Sequence, residues 1–290
     1  MIVRHYDHSD AVALTPIHNA VYPDEPRMTA SFQQHTASLE QAGGNAWVVE
    51  AKGEVVGYAA VTPIPGLDGI LGLEGFIAPA YRRQGLGSRL LLYVIQELEQ
   101  SGAGQLSHYV TTVDAPAAHF LRHHGFFIEH EEWVMVLPEL THLPPLLPPT
   151  GCHLQTFNRS QAIQYFCSLY DQSFSNHRWY QPYSHAEVAA TLDGAADILF
   201  LVCAFRPVGF VWTRMAESGA GEIEPLGVAK PYQGRGYGRF LLLAGLHRLK
   251  ERGAQKVALG AWRDNKAALH LYQSLGFQHA YTRTYLAYDL

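Results

Sequence analysis

Two short stretches of this chain share a pattern suited to binding an anion. Arg82-Arg83-Gln84-Gly85-Leu86-Gly87-Ser88 and Gln233-Gly234-Arg235-Gly236-Tyr237-Gly238-Arg239 each set glycines between a strand-like run and a long helical run. That succession presents several backbone N–H groups and the positive end of a helix dipole to one point. A Cβ would obstruct the close approach of phosphate, and each N–H to a charged oxygen contributes about 1.5–3 kcal/mol. Arg82, Arg83 and Arg89, or Arg235 and Arg239, add positive charge nearby. Other phosphate-binding patterns fail on spacing. A GxGxxG fingerprint would need glycine at Leu90 or at Arg239, and no GxxxxGK[ST] loop occurs.

Just ahead of the second loop, Glu222 and Glu224 alternate along a strand-like run, so the period of two puts both on one face with Leu226. The pair is read together, as a base acting directly or through water, or as solvated charges at a strand edge. Among the 16 histidines, His119 and His123 have the i, i+4 spacing of helix ligands. No HExxH or cysteine partner accompanies them, so they are read with His124 and His130 as surface or packing residues, and no metal is expected. Cys152, Cys167 and Cys203 form an odd, sparse set with no CxxC pair, which indicates neither a disulfide framework nor a zinc site.

The elements that hold these residues occur twice. From Gly85 and Gly87 against Gly236 and Gly238, a constant offset of 151 residues also pairs Ala78 with Ala229, Tyr81 with Tyr232 and Leu90-Leu91-Leu92 with Leu241-Leu242-Leu243. It continues through Gly102 and Gly253, Ala117 and Ala268, His119 and His270, and Gly125-Phe126 and Gly276-Phe277. Ordered matches in one register mean tandem duplication. Upstream the offset slips by one, since Gly57 matches Gly209. Periodicity predicts α, α, β, β, β, α, β, α, β in each half, with long helices near 85–101 and 236–252 and shorter ones near 115–123 and 265–274. Ser184 and Glu187 have capping-box spacing. Five prolines between Pro138 and Pro149 predict an extended connector, which sets expected domains at 1–140 and 152–290 with a linker at 141–151.

The 290 residues suffice for two cores, and 48% hydrophobic with 16% charged residues is globular composition. A net charge of −5 argues against a nucleic-acid binder that works through bulk charge. The N-terminal MIVRHYDHSD has no apolar signal region, and the apolar runs fall short of the ~20 residues that span a bilayer. A cytoplasmic protein with neither a nucleic-acid nor a membrane partner is expected.

These residues resemble the GCN5-related N-acetyltransferase (GNAT) superfamily, whose signature is [QR]xxGxG or [QR]xxGxA between the fourth strand and third helix. The second half is the fuller match, with EIEPLGVAKPYQGRGYG followed by Asn265, Ala268, Tyr272, Gly276 and Phe277 in an NxxAxxxYxxxGF pattern. The first half matches at the loop and the final Gly-Phe. The resemblance implies an α/β fold of two tandem GNAT-like domains, each a mixed, mostly antiparallel twisted sheet flanked by helices, with a coenzyme entering where two central strands splay. It implies acetyl-coenzyme A as co-substrate, no metal, and direct attack by a primary amine of a small acceptor. Gln233, Gly234, Arg235, Gly236, Tyr237 and Gly238 would hold the pyrophosphate, with Arg239 beside them. The backbone of Leu226, Gly227 and Val228 would pair with pantetheine. Arg83, Gly85, Leu86, Gly87 and Ser88 are the first half's counterparts.

The resemblance also implies Tyr272 as the acid that protonates the departing thiolate, and Glu224 or Glu222 as the base. Asn265 either touches the coenzyme or caps its helix. At the offset of 151, Tyr272 becomes Leu121, Asn265 becomes Asp114, and Glu222 and Glu224 become Leu71 and Leu73. The first half is therefore expected to be a degenerate copy and the second the catalyst. A one-residue slip upstream would instead set Glu74 opposite the carboxylates. In this superfamily the segment between the first two helices lines the acceptor site. Here it runs Phe174-Ser175-Asn176-His177-Arg178-Trp179-Tyr180-Gln181-Pro182-Tyr183, which suits either a small polar amine or a packed lid. A coenzyme-A-binding sensor without turnover, or transfer of a longer acyl group, are the alternative functions.

Overall fold

In the computed structural model, residues 1–194, 197–216 and 218–290 are described. The first stretch of chain forms β1 (Ile2–His5), α1 (Ala11–Val21), α2 (Thr29–Gln41), β2 (Asn45–Ala51), β3 (Glu54–Pro63), β4 (Ile70–Ile77), α3 (Leu86–Glu99), β5 (Gln105–Val110), α4 (Pro116–His123) and β6 (Phe127–Leu137). The second forms β7 (Cys152–Gln155), α5 (Arg159–Phe174), α6 (His185–Thr191), β8 (Ile198–Cys203), β9 (Arg206–Met215), β10 (Gly221–Val228), α7 (Tyr237–Glu251), β11 (Val257–Trp262), α8 (Lys266–Ser274) and β12 (Gln278–Asp289). The predicted order is present, with the short strands β1 and β7 added ahead of each half. Four residues are too few for a period of two to stand out from chance. The Ser184–Glu187 capping box forms and starts α6.

The chain divides into two compact units, Met1–Glu129 with Thr284–Leu290, and His130–Arg283. In the first, the strand order is β1-β2-β3-β4-β5 followed by residues 284–289 of β12. In the second it is β7-β8-β9-β10-β11 followed by residues 132–137 of β6. Each sheet is mixed: β4–β5 and β10–β11 are parallel and the other pairs antiparallel. Alternation along the strands sorts each core onto two faces. In the second unit, Leu199, Leu201, Val208 and Val211 pack with Leu241, Leu242 and Leu246 of α7. Phe200, Phe210 and Trp212 face the other way, onto Phe166 of α5 and Val188 of α6. In the first unit, Trp47 and Val49 pack under α3, and Val48, Tyr58 and Ala60 under α1 and α2.

This division falls elsewhere than the proline-rich segment, because the two terminal strands cross over. β11 needs a partner on the edge away from β10, and Glu132–Leu137 supply it; β5 is likewise partnered by Thr284–Asp289. The proline-rich segment has no helix or strand, as expected of its prolines, yet it is packed rather than free. Leu140 is buried with the α7 core, and the carbonyls of Thr141 and Pro144 accept hydrogen bonds from Lys250 and His247. The sparse cysteines also require correction. Cys152 and Cys203 stand directly opposite on β7 and β8 and form a disulfide, a neighbourhood that only strand register creates between residues 51 apart. Among the described residues, no helix is long and apolar enough to cross a membrane.

Met135 of β6 is fully buried in the second unit's core although its sequence position belongs to the first repeat. Replacing it with alanine is expected to lower the unfolding free energy by about 2–5 kcal/mol, read from urea denaturation followed at the tryptophans of the second unit.

Candidate active site

β10 and β11 pair at only three rungs, from Gly221–Val257 to Ile223–Leu259. Beyond Ile223 they part, while β10 remains bonded to β9 as far as Val228. Past Ile223 the inner edge of β10 therefore carries backbone groups with no strand partner, and apart from the Val228 carbonyl, which accepts from Gln233, they can pair with an extended guest. A cavity of about 710 Å³ opens along this gap. Its walls include Glu224, Leu226, Gly227, Val228, Gln233, Gly234, Gly236, Gly238, Arg239, Asn265 and Tyr272. Glu222, Arg235 and Tyr237 do not line it.

The loop ahead of α7 is built as an anion cradle. Gly234 and Gly236 have φ of +74° and +79°, and a Cβ on either would meet nothing within 4 Å, so their faces are open. Gly236 caps α7 without any side-chain hydrogen bond, which leaves the first-turn N–H groups available to an anion. The Gln233 amide donates instead to the Val228 carbonyl at 2.8 Å and ties the loop to the end of the strand. Arg82 does the same in the first unit, donating to the Ile77 carbonyl at 3.1 Å. The residue type expected at both positions thus acts as a staple, worth about 0.5–1.5 kcal/mol.

Tyr272 is buried on α8, and burial, followed by the negative charge of Glu224, pushes its phenol up to about 12. It is therefore protonated at neutral pH and able to donate. Glu224 is open to solvent through the cavity yet crowded by protein, and this desolvation raises its carboxyl above the usual range. The charge of Glu132 raises it further, whereas Arg283 and Arg214 pull it down. A carboxylate made more basic in this way suits proton abstraction. Glu222, two residues earlier on β10, lies ahead of the register shift that falls between Ile223 and Leu226. It stands opposite Arg214, with their side chains 3.7 Å apart. Asn265 caps α8 by accepting from the Ala268 N–H at 3.2 Å while also lining the cavity.

The last turns of α5, through Tyr170, Ser173 and Phe174, and the segment after it, through Asn176 and His177, form another part of the wall. His177 stacks on Trp262 at 3.5 Å between ring centres and is 3.4 Å from the Asp264 carboxylate. Trp179 does not line the cavity; it stacks on His130, and the Arg178 guanidinium lies 4.8 Å from its ring centre. The sequence reading missed Glu132, Tyr170, Trp262 and Asp264. Glu132 carried no signal at all, since it belongs by sequence to the first repeat. Among the described residues, no group of three or more His, Cys, Asp or Glu could hold a metal ion.

The first unit differs at each of these points. Strands β4 and β5 also part after three rungs, but the His108 imidazole occupies the gap and hydrogen-bonds the Leu73 carbonyl at 2.8 Å. Counted from the first parallel rung, His108 corresponds to Gly260, which lines the cavity of the second unit. Arg83 takes a positive φ of 61° where the second unit has Gly234. The ladder also revises the expected equivalence of Leu73 with Glu224. Ala60 faces Glu74, whereas its counterpart Trp212 falls at the two residues skipped by the register shift, Glu224 and Pro225. Burial is the largest influence on Glu74 and raises its carboxyl, but the His35 bond at 2.8 Å, the charges of His35 and Arg27 and the bond from Tyr58 together lower it.

The acetyltransferase (GNAT) family matches residues 11–126 and again 163–277. A mycothiol acetyltransferase from Nocardia farcinica is 32% identical over 262 residues, covering 86% of this chain and 84% of that protein. One from Gordonia bronchialis is 30% identical over 257 residues, covering 84% and 81%. A GCN5-related N-acetyltransferase structure from Sphaerobacter thermophilus superposes with a TM-score of 0.69 at 21% identity, over 99% of this chain and 95% of that one, which shows likeness of fold.

The His130–Trp179 stack has a pH signature. Burial, then the neighbouring His177, lowers the His130 imidazole from 6.5 to about 4. The unfolded chain binds this proton first, so the stabilising contribution is present above pH 6.5 and lost as pH falls toward 4. His130→Gln is expected to flatten the pH dependence of the urea midpoint across that window.

Proposed function

We propose that this chain, which belongs to the acetyltransferase (GNAT) family and carries the family's domain twice, moves an acetyl group from acetyl-coenzyme A to a primary amine of a small acceptor, with its C-terminal half as the catalyst. The observation that carries this reading is a single cavity walled by the open glycine loop, the free edge of β10, Glu224 and Tyr272. Acetyl-coenzyme A would supply the activated acetyl thioester. The loop amides from Gly234 to Arg239 and the start of α7 suit its pyrophosphate, and the 226–228 edge suits an extended amide chain.

The remaining chemistry falls to side chains. An alkyl ammonium with a pKa near ~10 must lose a proton before its nitrogen can attack a carbonyl carbon. Glu224, raised by burial and by Glu132, takes that proton directly or through water. Tyr272, still protonated at neutral pH, donates to the departing sulfur. Glu222 has no place in this scheme, because it turns toward Arg214. The first unit, with His108 in its gap and leucine at position 121, serves chiefly as structure. The relatives' names make acceptors of the mycothiol class the first to try.

The test is acetyl-coenzyme A binding by calorimetry, followed by release of free thiol with mycothiol-class acceptors, cysteamine, glucosamine and putrescine. Gly236→Glu places a side chain at φ +79° and a negative charge in the loop, and should weaken binding at least ~10-fold, whereas Gly85→Glu should not. Tyr272→Phe and Glu224→Gln should each lower kcat by about 10²-fold or more, with Glu222→Gln near wild type. The wild-type rate should fall as pH drops through the raised pKa of Glu224. Full turnover by a Tyr272→Phe/Glu224→Gln double variant would overturn the assignment, and binding without turnover on any amine would leave a coenzyme sensor.

A further inference from the structure

Beside Glu224 and Asp264, Glu132 brings a third carboxylate into the cavity. It stands on β6 directly opposite Trp262, and alternation puts it on the same face as the Gly260 position next along β11. Its two oxygens have different surroundings. Oε2 lies 3.1 Å from Nη1 of Arg283 on β12. Oε1 lies over Gly260, only 2.8 Å from where a Cβ would stand, so the carboxylate fits there because position 260 has no side chain. The Glu132 side chain is 16% exposed, and one guanidinium contact leaves acceptor capacity on such a carboxylate.

Glu132 and Glu224 share this cavity, and like charges at close quarters disfavour one another. Around Glu224 the other charged or titratable groups are Arg283 from β12, Arg214 from β9, Glu222 on its own strand, Tyr272 from α8, Tyr170 from α5 and Tyr183 ahead of α6. Both arginines are already engaged by carboxylates, Arg214 by Glu222 and Arg283 by Glu132. A cation between Glu132 and Glu224 would relieve their repulsion, and an alkyl amine arrives at neutral pH as such a cation.

We propose that Glu132 is an acceptor-binding residue: with Arg283 holding one of its oxygens, it offers the other to the ammonium group of the acceptor and seats that group beside Glu224. One N–H bond of the ammonium then breaks as its proton forms an O–H bond on Glu224. The electron pair left on nitrogen is the one that attacks. Gly260 is the clearance that lets Glu132 reach this position. The first repeat thereby supplies, through β6, a substrate contact to the catalytic unit. This role rests on the acetyl-transfer reading above.

The test compares the full-length wild type with Glu132→Gln and Gly260→Ala, using cysteamine, glucosamine and putrescine as amine probes and thermal melting to confirm folding. Glu132→Gln should raise the acceptor KM roughly tenfold or more and leave the KM for acetyl-coenzyme A within about twofold. Its acid limb of kcat/KM should move to lower pH, because a negative charge beside Glu224 is gone. A carbon-13 NMR titration of the Glu224 carboxyl, which needs no turnover, should move the same way. Gly260→Ala keeps both charges but displaces the carboxylate, and should raise the acceptor KM in the same sense even if Glu132→Gln does not fold. An unchanged acceptor KM and acid limb in folded Glu132→Gln, or both KM values rising together, would overturn the role of Glu132 while leaving acetyl transfer intact. No transfer by the wild type to these probes or to mycothiol-class acceptors would instead remove the acetyl-transfer reading, and this role with it.

Discussion

Strand β10 is bonded along one edge to Val228, but along the other it loses its partner after Ile223, and the C-terminal site depends on that asymmetry. Backbone donors and acceptors inside a sheet are ordinarily paired, because leaving them buried and unpaired costs free energy. Here the open edge faces a solvent-filled cavity instead of protein. The turn that follows is fixed to the end of the strand by Gln233, and α7 begins immediately beyond it with uncapped N–H groups. Strand edge, anion cradle and helix start are thus set in line by one local departure from regular pairing. Glu224 stands at the register shift and lines the cavity, whereas Glu222, two residues earlier, does not.

Duplication kept this scaffold in both units while the side chains that fill it diverged. Each unit staples its loop to the preceding strand, with Arg82 or Gln233, and starts its long helix at a glycine of positive φ. The gap between the parallel strands, however, holds an imidazole in one unit and is bounded by Gly260 in the other. Position 83 or 234 likewise changes from arginine to glycine at the same left-handed backbone, which costs a non-glycine residue about 1–2 kcal/mol. The glycine loop therefore persists in both units although the side chains beside it differ, since its glycines and staple serve the strand-to-helix turn in each.

Exchange of the terminal strands makes each unit depend on residues from the other end of the sequence. Met135 lies in the core around α7, and Leu286 in the core around α3. The exchange also sets Glu132 in the cavity wall and pairs it with Arg283, so that their opposite charges bear on Glu224 from two further strands. The charges that bear on Glu224 thus come from residues far apart in sequence, whereas the glycine loop is built from seven consecutive ones.

Local features of the sequence were therefore legible and long-range ones were not. The glycine loops, the two copies, the long amphipathic helices, the Ser184 capping box and Tyr272 could be read directly, because a turn, a helix period or a motif is written within a few residues. Strand pairing is not written that way. It alone decided that Cys152 meets Cys203, that Glu224 rather than Glu222 enters the cavity, that Glu74 and not Leu73 sits at the ladder position of the shifted pair, and that residues 130–140 join the second unit. A one-residue slip in register reverses which face a side chain takes, and a partner strand is chosen by the whole core rather than by its neighbours in sequence. The sequence by itself determined the family's fold and its glycine loop, and the tertiary structure decided which carboxylates line the cavity beside it.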